Sequence, residues 1–237
     1  MNHTNRTSRT IRLALNAFIV IAAGFGIVVE AAVLGAGTAL TAFTIQSNAL
    51  AMVMAAVTLA RDLRGTDPGG PGYQAFAGMA LTSVLLTFAV FNIALRGPMG
   101  GGHPVSLAGV ASELLHVVVP LGVLADWVVF GRRGSVRPWH PLVWALFPLY
   151  YLAFTAAYRA LGGVYQFGPG EPQHFPYFFL DYETYGLGQV ALWMGFIVVG
   201  FLGTGYVLYA VDKGLAALSR SPFGAPALVT HEDRRDR

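Results

Sequence analysis

The chain has no cysteine and a single lysine, Lys213. The first absence excludes disulfides, thiolate metal sites and a cysteine nucleophile. The second leaves a retinal protein only Lys213, beyond the expected last span, for its Schiff base. Charge is scarce as well: 11% of the 237 residues are charged, against about a quarter in soluble domains. No glycine-rich phosphate loop, dinucleotide fingerprint or zinc spacing occurs, and nothing points to a metal, a cofactor or a nucleic-acid partner. The formal charge is only +3.

What the chain has instead is apolar length, with 55% of its residues hydrophobic. A helix needs about 20 apolar residues to cross a bilayer, and six segments meet that need: roughly 12–34, 41–60, 74–95, 107–130, 139–160 and 187–211. Turn-rich, charged stretches separate them, as in "RDLRGTDPGGPG", "RGPMGGGHP" and "GRRGSVRP". The first apolar run is longer than a signal-peptide core and lacks a small-residue cleavage site, so it reads as a retained helix. The expected fold is therefore all-α, a six-helix transmembrane bundle over 12–212. A short segment, 1–11, precedes it, and a charged, disordered tail, 213–237, follows.

Basic residues set the expected orientation. Arg6, Arg9, Arg12, Arg61, Arg64, Arg132, Arg133, Arg137, Lys213, Arg220, Arg234, Arg235 and Arg237 fall on one side, leaving Arg96 and Arg159 for the other. That predicts cytoplasmic termini in a multi-pass plasma-membrane protein. The long outer loop, 161–186, is rich in aromatics and reads as an interfacial belt in preference to a lid.

Polar residues inside the helices form a layer. At 1.5 Å per residue, Thr44 lies roughly 25 Å above Arg61, His116 roughly 24 Å above Arg132, and Glu30 roughly 27 Å above Arg12. Asn48, Asn92 and Glu113 fall in the same outer zone, while Asp126, near the inner end, reads as a solvated residue. Ionisable groups at such depth face a bundle interior or a wet cavity. Each has a structural reading: Thr44 as a helix cap, Asn48 as interhelical glue, Glu30 as a snorkelling interfacial group, and His116 as a buried structural imidazole.

The chemistry that fits the layer is nucleophilic. A hydroxyl needs a base to take its proton, and imidazole is the usual one. Thr44 and His116 are the candidate pair, with Glu113 or Glu30 as candidates to orient the ring. Gln46, Asn48 or Asn92 are candidate donors to an oxyanion. A small transporter or proton-coupled carrier using Glu30, Glu113 and His116 is the alternative, although no inverted repeat is visible. A haem or quinone site would need two histidines within helices; only His116 lies deep, with His103 and His174 in loops and His140 at an edge.

"FTIQSNAL" (43–50), "LLHVVVPLGVLADW" (114–127) and "FPYFFLDYETYG" (175–186) together resemble the androgen-induced membrane hydrolase family and its bacterial relatives, over residues 10 to 212. That resemblance implies a six-helix hydrolase of fatty acid esters of hydroxy fatty acids, acting on a membrane lipid. The family's essential threonine and histidine correspond to Thr44 and His116. Val117, after His116, departs from the animal pattern, which bears on the substrate.

Overall fold

The computed structural model describes residues 3–66, 69–96, 106–167 and 171–220. His103 and the last seventeen residues, with Arg234, Arg235 and Arg237 among them, lie outside this set. Among the described residues the fold is all-helical, with six helices long and apolar enough to cross a membrane. The first span is α1 (His3–Leu34). A short α2 (Ala36–Thr41) leads into α3 (Phe43–Arg64). The third span is α4 (Pro71–Val90), which widens into a π turn over Phe91–Leu95. The fourth comprises α5 (Leu107–Glu113), a second π turn (Leu114–Val118) and α6 (Val119–Phe130). Next come α7 (His140–Trp144) and α8 (Leu146–Ala160), then α9 (Tyr182–Arg220), which breaks at Gly186 (φ 78°).

Because lipid is as apolar as a leucine side chain, helices in a membrane associate through close packing. The centre of the bundle accordingly uses small residues. Ala22 and Ala23 of α1 and Ala51 and Ala55 of α3 are buried together with Ile19, Leu81 and Val84. Two glycines act as seats for large neighbours. Gly78 lies against the Trp144 ring, where any side chain would overlap it. A Cβ at Gly26 would come within 2.6 Å of Leu115 Cγ, so Leu115 sits on α1 at full burial.

Two expectations about the ends require correction. The helix that was to end near 212 continues to Arg220. Asp212 holds it there, accepting hydrogen bonds from the amides of Gly134 (2.9 Å) and Val136 (3.0 Å), while Ala216 is buried one turn on. Asp126 is not solvated: it is only 6% exposed. The Asn16 amide donates to it at 2.7 Å and Arg12 pairs with it at 3.5 Å, so protein groups replace water. Arg12 also reaches Asp62 at 3.3 Å. These contacts tie α1, α3 and α6 together at the arginine-rich end.

Candidate active site

Thr44 owes its position to the break before α3. Ala42 is extended (φ −78°, ψ 133°), so the chain turns between two helices and presents Thr44 in the first turn of the second. Side chains fix this corner: the Tyr151 hydroxyl donates to Thr41 O at 3.0 Å, and the Gln46 amide donates to Leu40 O at 2.9 Å. Asn48, one turn on, donates to Thr44 O (2.8 Å) and across to Leu115 O (3.1 Å), which joins α3 to the span that carries His116.

His116 lies on the π turn between α5 and α6. Pro120 supplies a cause for the widening: it has no N–H, and its ring crowds the carbonyl four residues back, which is that of His116. The backbone bond therefore skips a residue, with Val119 N–H donating to Leu114 O. Such widened turns occur frequently at functional sites. Phe91, on the other π turn, stacks on the imidazole with ring centres 3.9 Å apart.

Thr44 Oγ1 and His116 Nε2 are 3.1 Å apart. The tautomer follows from the opposite side of the ring, where Nδ1 lies 2.8 Å from Ser112 O. A carbonyl oxygen only accepts, so Nδ1 carries the proton and Nε2 presents a lone pair to the threonine hydroxyl. The Ser112 hydroxyl, 3.2 Å from Nδ1, shares that proton. The ring is thus oriented by a peptide carbonyl, with no carboxylate in that position.

The other expected residues occupy different roles. Glu113 pairs with Arg96 at 2.9 Å, and Arg96 also donates to Asn92 Oδ1 at 2.9 Å. Asn92 donates in turn to Phe88 O. Glu113 therefore does not orient the ring, because a cation on the neighbouring helix claims it. Asn48 spends both of its amide N–H groups on backbone carbonyls; Gln46 and Asn92 each direct one to a carbonyl, and none of the three lines the cavity described next. Glu30 is partly buried on α1 and does not line the cavity described next.

Thr44 and His116 open onto a cavity of about 320 Å³. Its walls are apolar, apart from these two residues, Thr87, Tyr151 and Tyr177. Leu142, Leu149 and Val198 line it and are also half exposed on the bundle surface, so the mouth lies between the fifth and sixth spans. The loop expected to form an aromatic belt reaches the cavity. Tyr177 and Phe179 turn inward to line the cavity, and stack on each other at 5.0 Å.

Sequence reasoning missed Ser112, Phe91 and Tyr177. A backbone carbonyl and a stacking ring leave no sequence signature. Tyr177 stood within a quoted motif but was assigned to the interface. No protein-family model, curated protein or solved structure matches the chain. The Thr44–His116 geometry therefore carries the functional argument.

Proposed function

We propose that this protein is an integral-membrane hydrolase that cleaves a lipid ester, with Thr44 as nucleophile and His116 as general base. The observation that carries the reading is the 3.1 Å contact between Thr44 Oγ1 and an imidazole nitrogen whose lone pair faces it, within an apolar cavity that opens sideways. Its resemblance to the androgen-induced membrane hydrolases agrees with this and suggests fatty acid esters of hydroxy fatty acids as the substrate class.

His116 Nε2 takes the Thr44 proton as Oγ1 attacks the ester carbonyl carbon. The carbonyl π electrons move onto oxygen. As that tetrahedral species collapses, the bond to the alcohol oxygen breaks, and the alcohol leaves with the proton from Nε2. Water then attacks the acyl-threonine and gives a proton to Nε2; collapse frees the fatty acid and returns the proton to Thr44. The sum is ester plus water giving acid plus alcohol. Ser112 O holds the ring throughout and stabilises the imidazolium as a dipole.

The basic residues support cytoplasmic termini, with Thr44 in the outer half of a plasma-membrane bundle. A carrier relay through Glu30, Glu113 and His116 gains no support, since Glu113 is tied to Arg96 and His116 faces a hydroxyl. The test is a fluorophosphonate probe applied to the purified protein in vesicles, with the labelled peptide identified by mass spectrometry. Labelling is expected on Thr44 and is lost in Thr44→Ala; equal labelling of that variant would refute the nucleophile.

A further inference from the structure

The loop between α8 and α9 is built to deliver one hydroxyl. Tyr165 and Gln173 exchange backbone hydrogen bonds at 2.8 Å and hold two parts of it side by side. Arg159 ties its two ends together through Tyr182 and Glu183. The 3₁₀ turn Phe178–Leu180 is pinned to α9 by Phe178 against Trp193, with ring centres 5.5 Å apart. Tyr177 precedes that turn. Its ring lies parallel to that of Phe179, and its hydroxyl reaches the start of α3, where the Phe43 amide donates to it at 3.2 Å. Thr44 and Tyr151 line the same cavity beside it, the Tyr151 ring centre lying 6.4 Å from that of Tyr177.

This is the end of a helix where amide N–H groups have no carbonyl one turn back. In α3 the first amide bonded in that way is Gln46, to Ala42 O at 3.2 Å. The positive end of the helix and a phenol therefore converge on the residue beside Thr44. Because the phenol oxygen already accepts from an amide, its own O–H is polarised and directed elsewhere.

We propose that Tyr177 is a catalytic residue of this site, its phenol O–H donating to the oxygen that becomes negative when Thr44 attacks the ester carbonyl. The inference rests on the hydrolase reading above and supplies the oxyanion donor from a residue that lines the cavity, which Asn48, Gln46 and Asn92 do not. During the attack the phenol keeps its proton and shortens its hydrogen bond to the oxyanion; no further bond is made or broken. Burial raises the phenol above its ordinary value, which keeps it in the donating form.

The test compares the fluorophosphonate labelling rate and the KM and kcat for a fatty acid ester of a hydroxy fatty acid. It uses wild type, Tyr177→Phe, Thr44→Ala, and protein with fluorotyrosine incorporated at 177, all in vesicles. Tyr177→Phe is expected to label and turn over about 10²–10³-fold more slowly, the usual cost of losing one oxyanion donor, with KM within about twofold. Fluorotyrosine keeps the loop packed, and is expected to change kcat in step with ring acidity, which a purely structural role would not do. Wild-type or faster labelling by Tyr177→Phe, alongside loss of labelling in Thr44→Ala, overturns the Tyr177 role and leaves the nucleophile standing. Undiminished labelling of Thr44→Ala overturns both.

Discussion

Two cavities of similar size, about 320 Å³ beside Thr44 and about 330 Å³ beside Arg12, show how one bundle treats polar groups at its two ends. At the arginine-rich end ion pairs and neutral partners consume one another: Arg12 holds Asp62 and Asp126, Asn16 donates to Asp126, and Thr58 meets Tyr73. At the other end, a hydroxyl meets an imidazole, and the ring is oriented by the dipole of the Ser112 carbonyl. Charges taken out of water carry a large desolvation cost unless well paired. A reactive group inside a membrane therefore does better neutral, acquiring charge only during the reaction. The first arrangement is a staple; the second is the one proposed for chemistry.

The sharpest way to break this contrast is to remove one member from each end. His116→Ala is expected to lower the labelling and turnover rates by about 10²–10⁴-fold while leaving thermal unfolding near wild type. Asp126→Ala should do the reverse. It leaves Arg12 and Asn16 short of a buried partner at a cost of about 3 kcal/mol, yet the rate per folded molecule is unchanged. A slow but correctly folded Asp126→Ala protein would erase the distinction.

Smaller changes test how packing transmits to the site. Gly26→Ala pushes on Leu115, the residue before His116, at an expected cost of about 1–3 kcal/mol. Displacement of the ring by about 1 Å can slow the rate up to about 10²-fold, and kinetics beside thermal unfolding separate the two effects. Phe91→Leu loses the ring stacked on His116, worth about 0.5–1.5 kcal/mol, so turnover should fall by no more than about tenfold. Wild-type turnover in that variant would show that Ser112 alone orients the imidazole.

The smallest effect concerns the loop. Burial, with the nearby phenols of Tyr158 and Tyr177, raises Tyr165 from 10.0 to about 12. The folded loop favours the neutral phenol, so its contribution is complete below pH 10 and is lost as pH rises from 10 to about 12. Tyrosinate absorbance followed alongside catalytic rate should show the two changing together in that window.

How much of this could be read beforehand divides along physical lines. Helix number and depth are properties of apolar length and rise per residue, so six spans and the shared level of Thr44 and His116 were legible. Partner choice was not. Glu113 is three residues from His116 and invites the role of orienting carboxylate, yet Arg96, distant in sequence, claims it. Asp126 looked exposed because its partner Arg12 sits at the far end of the chain. The widened turn at 114–118 had a signal in Pro120, but the Ser112 carbonyl that meets the imidazole belongs to the backbone and is common to every residue type. The last helix runs past 212 for a similar reason, since Asp212 finds its partners in two amides of another loop.

The mouth between Leu142, Leu149 and Val198 has a kinetic consequence. A molecule that arrives through it travels within the membrane plane, so encounter frequency depends on how many substrate molecules share each unit of lipid area. Adding inert phospholipid to the vesicles at constant bulk substrate should slow turnover in proportion to the dilution. Detergent that draws the substrate out of the bilayer into micelles lowers the same surface density and should slow turnover likewise.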